Sequence, residues 1–216
     1  MKLLILLTFI SSCALLPTNI TKKYQYEGVK SFNGKDQNFV ITGNKAAELK
    51  DTNKASIAAW IYPTCTKCNH EIFAISTANK DPKLSSASRF ALRTGKSGKL
   101  IAMARSVDEP TNAMIALSTP EDNIQMNQWS HVVAIVHFDE NRFQIFVNGK
   151  EIKTTWNKEV KFKSPKTPNT SPINIIIGSE DDGKNNFYEG KITHPIIIGN
   201  ALSSSEIIKL YNDRPE

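Results

Sequence analysis

Residues 129–150 read WSHVVAIVHFDENRFQIFVNGK, two strands and both of their turns in a single run. Val132, Ala134, Val136 and Phe138 alternate with Val133, Ile135 and His137, a β-branched stretch of strand length. After the polar turn Asp139-Glu140-Asn141-Arg142, Phe143, Ile145 and Val147 repeat at every second position, as one buried face of a strand requires. Asn148-Gly149 then supplies two residues that tolerate positive φ, the condition for a tight hairpin turn. Outward from this hairpin, short apolar runs recur at 39–41, 56–62, 72–76, 89–93, 100–104, 113–117, 173–177 and 195–198, each bounded by turn residues. That spacing predicts an all-β, antiparallel sandwich. One segment reads as a helix, Ser203 to Tyr211. There Ser203 and Glu206 form an S-x-x-E capping box, and Ile207, Leu210 and Tyr211 share a face. Residues 157–172, with three prolines, read as a long connection.

Four pieces of sequence, in order, resemble the concanavalin A-like lectin/glucanase superfamily in its laminin-G-like or pentraxin-like branch. Ser31-Phe32-Asn33-Gly34 leading to Phe39-Val40 is similar to the opening "F-D-G … Y-V" strand. Residues 56–63, SIAAWIYP, are similar to "S-x-x-x-W-v-x-P". The hairpin 129–150 resembles "W-x-H-V-A-x-x-x-D … l-Y-V-N-G", with Trp129 and His131 in place. Ile177-Gly178, then residues 187–192, then Ala201-Leu202-Ser203 to Tyr211 resemble the closing pattern of the family. The resemblance implies a jelly-roll sandwich over residues 31–213. Two departures stand out: Asn33 replaces an aspartate, and Thr193-His194-Pro195 replaces Asp-Glu-Val. Those acids often help relatives hold calcium, an ion that needs several carboxylate or carbonyl oxygens.

The N-terminus supplies an address. Lys2, the apolar stretch Leu3 to Ile10 and the small residues Ser11-Ser12-Cys13-Ala14 have the layout of an export signal. Thr8, Ser11, Ser12 and Pro17 interrupt the run well short of the roughly 20 apolar residues that cross a bilayer. Ile10-Ser11-Ser12-Cys13 resembles the lipobox of bacterial lipoproteins, which implies a signal peptide over residues 1–12 and lipidation at Cys13. The alternative is a signal peptide cut elsewhere, for instance after Ala14, giving a secreted protein. Because Ala14 and not aspartate follows the cysteine, an outer-membrane destination is expected if the cell has one. Residues 13–30 read as a polar tether, within which Tyr24 and Tyr26 either pack on the domain or stay mobile. The net charge of +6 comes mainly from lysine, with six between Lys150 and Lys166. In Lys161-Phe162-Lys163 the lysines flank an apolar residue as in a guarded edge strand. An exported chain whose basic residues show no interleaved aromatic platform is not expected to bind nucleic acid.

Candidate chemistry is sparse. Glucanases of this superfamily carry paired carboxylates on one strand as E-x-D-x-x-E. The sequence contains no such stretch; the nearest, Glu180-Asp181-Asp182, runs into Gly183-Lys184-Asn185 and reads as a loop. In that loop Asp181 and Asp182 are the candidate calcium ligands. Cys65-Thr66-Lys67-Cys68 follows a strand and precedes another, whereas a redox pair of this spacing opens a helix. Zinc needs four ligands and only His70 is nearby. With Cys13 lipidated, an oxidising envelope makes Cys65 and Cys68 the expected disulfide partners. No G-x-S-x-G and no histidine motif marks a nucleophilic triad. His131 is expected to pack with a satisfied hydrogen bond. Trp60 and Trp129 match core positions, which leaves Trp156 as the aromatic candidate for stacking on a sugar. The expectation is a lipid-anchored envelope protein with a lectin-like, non-catalytic domain that binds surface glycan. The alternative is an adhesion or structural protein that binds another envelope protein, and a glycoside hydrolase is the least favoured reading.

Overall fold

The computed structural model describes residues 26, 28–42, 52–65, 69–77, 88–104, 115–156, 162, 173–180 and 185–214, and every structural statement refers to these. The strands in chain order are β1 (Val29–Asn33), β2 (Phe39–Thr42), β3 (Lys54–Pro63), β4 (His70–Thr77), β5 (Ser88–Thr94), β6 (Leu100–Ala104), β7 (Ile115–Ser118), β8 (Ser130–His137), β9 (Arg142–Val147), β10 (Lys150–Glu151), β11 (Thr155–Trp156), β12 (Ile173–Ile177) and β13 (Glu189–Ile198). The helix α1 (Ser204–Asn212) follows. Two antiparallel sheets form the sandwich: six strands in the order β1-β13-β3-β8-β9-β10, and seven in the order β11-β7-β6-β5-β4-β12-β2. The all-β expectation with one C-terminal helix is met.

Period-two side chains explain how the sheets face each other. From β3, Ala55, Ile57, Ala59 and Ile61 enter the central core; from β8 come Val132, Ala134 and Val136, and from β9 Phe143, Ile145 and Val147. Opposite them stand Phe73, Phe90, Leu92, Leu117, Ile175 and Ile177 of the other sheet. The second face of β8 is apolar for a different reason. Val133 and Ile135 join Ala58, Phe146, Ile196 and Ile198 beneath Leu202, Ile207 and Leu210, so α1 covers the outer face of the six-stranded sheet. Every residue of β8 is therefore buried, which accounts for a run with little polar alternation. Ile207 and Leu210 each contribute about 1.5–3 kcal/mol by leaving water.

The start of α1 is fixed by the capping box legible in the sequence. Ser203 Oγ accepts from Glu206 N at 3.3 Å, and Glu206 Oε2 accepts from Ser203 N at 2.7 Å. Two of the helix's otherwise orphaned donors are satisfied reciprocally. Ser203→Ala is expected to cost about 1 kcal/mol. A thermal melt should fall by roughly 2–4 °C, and an unchanged melting temperature would show that the cap carries no stability.

Strand β1 starts at Val29. Val29 and Lys30 already pair with Thr193 and Ile192 in the β1–β13 ladder. Tyr26 packs on the core, its hydroxyl donating to the Ile192 carbonyl at 3.2 Å and its ring edge-on to Phe39 at 5.3 Å. Burial in this position pushes the Tyr26 phenol well above its usual range. In β13, where Thr193-His194-Pro195 departs from the family pattern, the register with β3 shifts between Thr193 and Ile196. His194 sits at φ 49°, and Pro195 has no N–H to give a ladder, so the departure is a β-bulge.

Candidate functional site

β8 and β9 run antiparallel with Val132 opposite Val147, so Trp129 before β8 and Asn148 after β9 meet at one end of the sheet. On the next strand, Trp60 lies opposite His131. α1 crosses the outer face and ends at the same place with Tyr211, Asn212 and Arg214. Trp60, Trp129, Asn148, Tyr211, Asn212 and Arg214 line a cleft of about 270 Å³. Pockets for drug-sized ligands hold about 300–1,000 Å³, so this cleft suits one small ring.

Its walls are aromatic and its rim carries donors. The Trp60 and Tyr211 rings are stacked, 5.7 Å apart and 19° from parallel. His131 lies against both, 5.4 Å from Trp60 and 6.3 Å from Tyr211. Gly149, at φ +77°, lets the hairpin turn approach Tyr211, where a Cβ would stand 3.3 Å from the ring. Asn148 Oδ1 accepts from His131 N at 2.9 Å, which fixes the turn and leaves the amide hydrogens of Nδ2 for other partners. Trp129 is half-buried and meets Tyr62 edge-on at 5.5 Å, with Lys191 Nζ 5.5 Å from the Tyr62 ring centre. The Arg214 guanidinium lies 5.8 Å over Trp60. Burial pulls the His131 imidazole down to about 4, so the ring beneath the cleft is neutral at physiological pH.

Carboxylates cluster elsewhere. His137, Asp139 and Glu140 converge at the far end of β8, roughly 23 Å of strand away. Lys54 Nζ is 2.8 Å and Arg142 Nε 3.0 Å from the Glu140 carboxylate, and Asn53 donates to Asp139 at 2.6 Å. Both cations pair with Glu140, and the hydrogen bond from Lys54, then that from Arg142, hold its carboxyl at about 2. A general acid in glycoside hydrolysis needs its pKa raised, not lowered.

The residues singled out by sequence fall as follows. Cys13, Cys68, Asp181 and Asp182 lie outside the described residues. Cys65 is half-buried and is a free thiol, so the expected disulfide with Cys68 is not seen. Trp156 is on β11, opposite Leu117 in register; its side chain is outside the described set. Trp60 is buried as expected, but Trp129 is only half-buried and belongs to the cleft. His131 is buried, yet its ring Nδ1 lacks the hydrogen bond expected of it. Neither departed family position offers a cation an acid. Asn33 turns inward on its own loop, its amide donating to Asp36 at 2.8 Å and its Oδ1 accepting from Lys35 N at 3.0 Å. Thr193 Oγ1 donates to the Gly28 carbonyl at 2.7 Å. Glu180 bridges to Asn185 and accepts from the Asn186 amide. The sequence reading missed Asn148, Tyr211, Asn212 and Arg214.

Two antiparallel sheets packed as a sandwich, with one short C-terminal helix, form a lectin-like jelly-roll. Residues 33–208 match the laminin-G-like model of the Concanavalin A-like lectin/glucanases superfamily, and the chain belongs to that family. Among curated proteins, none matches it. Solved structures share the fold at low identity. The heptameric SAP-like pentraxin of Limulus polyphemus is 17% identical, with 85% of this chain and 80% of that one covered and a TM-score of 0.60. The CBM40 domain of the Ruminococcus gnavus IT-sialidase, bound to alpha2,3 sialyllactose, is 16% identical over 85% and 97% of the two chains, with a TM-score of 0.61. The binding domain of botulinum neurotoxin serotype D is 13% identical over 86% of this chain and 43% of that one, with a TM-score of 0.55.

Proposed function

We propose that the protein is a non-catalytic glycan-binding domain held on the cell envelope by a lipid at Cys13, with the sugar seated in the cleft beside α1. The cleft carries this reading. A pyranose presents an apolar face that matches tryptophan and tyrosine rings, and hydroxyls at its rim that match amide and guanidinium donors. Trp129, Tyr211, Asn148, Asn212 and Arg214 bring those two chemistries together, and none of the six lining residues is an acid that could cleave a glycosidic bond. Fold similarity to a sialyllactose-bound CBM40 and to a pentraxin agrees with a lectin-like role, as an analogy of fold. The lipobox-like Ile10-Ser11-Ser12-Cys13 supports the anchor.

A glycan array followed by titration of its best ligand tests the site. Trp129→Ala is expected to weaken binding at least tenfold, about 1.4 kcal/mol, while leaving the melting temperature within a few degrees. Binding indifferent to that change would remove the cleft from the function. An array without signal, together with co-purification of an envelope protein, would favour adhesion to protein, and turnover of β-glucans would overturn the non-enzymatic assignment. Cys13→Ser should move the protein from the membrane fraction to the soluble one.

A further inference from the structure

Among the lining side chains, N–H donors outnumber acceptors. Arg214 brings five N–H groups and no acceptor, and Asn148 and Asn212 each add an NH₂. On the acceptor side, one lone pair of Asn148 Oδ1 is taken by His131 N at 2.9 Å, which leaves its second lone pair, the Asn212 carbonyl and the Tyr211 hydroxyl. A carboxylate or sulfate accepts and donates nothing, so it can fill this surplus of side-chain donors.

Charge points the same way. Arg214 is the single charged residue of the lining. It is exposed and lies over the Trp60 ring at 5.8 Å. Asp213, its neighbour in sequence, does not line the cleft; its backbone N–H closes the helix by donating to the Lys209 carbonyl at 3.0 Å. A second cation, Lys191, sits 5.5 Å over Tyr62, the ring against which Trp129 packs. Both cations rest on aromatic faces, which orients them without neutralising them. The chain's net charge of +6 adds a field that draws anions.

We infer that the ligand of this cleft is an anionic pyranose, a sugar whose carboxylate or sulfate pairs with Arg214 while its ring lies along Trp129 and Tyr211. The inference rests on the glycan-binding reading of the same cleft and adds the chemical class.

Tryptophan fluorescence titration of the full chain with three probes of equal length decides it: an oligogalacturonate, a sulfated galactan oligomer and a neutral galactan oligomer. At low ionic strength at least one anionic probe should bind about tenfold or more tighter than the neutral one. The preference should shrink as salt shortens the Debye length toward about 8–10 Å. Arg214→Gln should abolish the preference by weakening the anionic probe about tenfold more than the neutral one, and Arg214→Lys should restore part of it because charge returns without the planar fork. Preference for the carboxylated or the sulfated probe assigns the source of the anion. Equal binding of neutral and charged probes, with both lost in Trp129→Ala, would overturn the anionic class and leave the glycan site standing. Retained preference in Arg214→Gln would also overturn it, and silence from all three probes and the array would sink both readings.

Discussion

Gly190→Ala should lower the unfolding free energy by about 3–5 kcal/mol, a strain term plus an overpacking term, and the melting temperature by roughly 10 °C. Gly190 sits in β13 at φ +137°, where a Cβ would stand 2.1 Å from the Tyr62 carbonyl oxygen and 3.0 Å from Pro63 Cα. Both obstacles are backbone. Neither can rotate away as a side chain could. β13 is also held on both sides, with Gly190 opposite Pro63 of β3 and Phe32 of β1, so the strand cannot shift without breaking a ladder. Gly28 is the control: its φ of +76° is equally unfavourable to an L-residue, but nothing lies within 4 Å of its would-be Cβ. Gly28→Ala should therefore show the conformational cost alone, about 1 kcal/mol. Thermal and urea denaturation of the two variants separate the terms, and a Gly190→Ala protein melting within about 2 °C of wild type would show that the β3–β13 approach is looser than its geometry. The same register places Lys191 opposite Tyr62 and Thr193 opposite Trp60, so relaxation here would also disturb the cleft.

The fold was legible because its determinants are local and periodic. Alternation in residues 132–138 and 143–147, the Asn148-Gly149 turn and the Ser203–Glu206 box each specify an element without help from distant residues. The central hairpin even contains two of the cleft residues. What sequence could not show was exposure. Trp129 precedes β8 by one residue, and whether it is covered depends on where α1 stops. The helix shields Val133 and Ile135 and runs out before Trp129, a tertiary fact absent from any period. Asn148 was assigned to a turn, which is true, and that assignment concealed its second role as a cleft donor. Tyr211 shares a helix face with Ile207 and Leu210, and whereas those two are buried it is 36% exposed and stacked on Trp60. The cleft joins residue 60, residues 129 and 148, and residues 211, 212 and 214, three segments far apart in the chain. Cys65 is a free thiol, while Cys68 lies outside the described residues.

Acid should destabilise the protein before any carboxylate is protonated. Burial holds the His131 imidazole at about 4 in the folded protein, against about 6.5 in an unfolded chain. Between those values the unfolded chain takes up a proton that the folded one refuses, so stability is complete above about pH 6.5 and falls as pH drops toward 4. The slope is about 1.4 kcal/mol per pH unit, for a total of about 3 kcal/mol. His70 and His137 are shifted the same way, burial being the first cause in each, and they add to the slope with the same sign. Glu140 acts later. Its exposed carboxyl, held at about 2 by Lys54 and Arg142, contributes a small, solvent-screened stability that is complete above its ordinary range and is lost progressively as pH falls from there toward 2. Urea denaturation at pH 7, 6, 5 and 4.5 should therefore give midpoints that decline across the histidine window. His131→Phe fills the same space with a ring that cannot ionise and should leave a shallower slope, that of the other histidines. Identical slopes in the two proteins would show that His131 is not buried as it stands here. The His131 ring lies against Trp60 and Tyr211 and stays neutral in the folded protein above about pH 4, so sugar affinity of the folded protein should hold steady across the histidine window in both proteins.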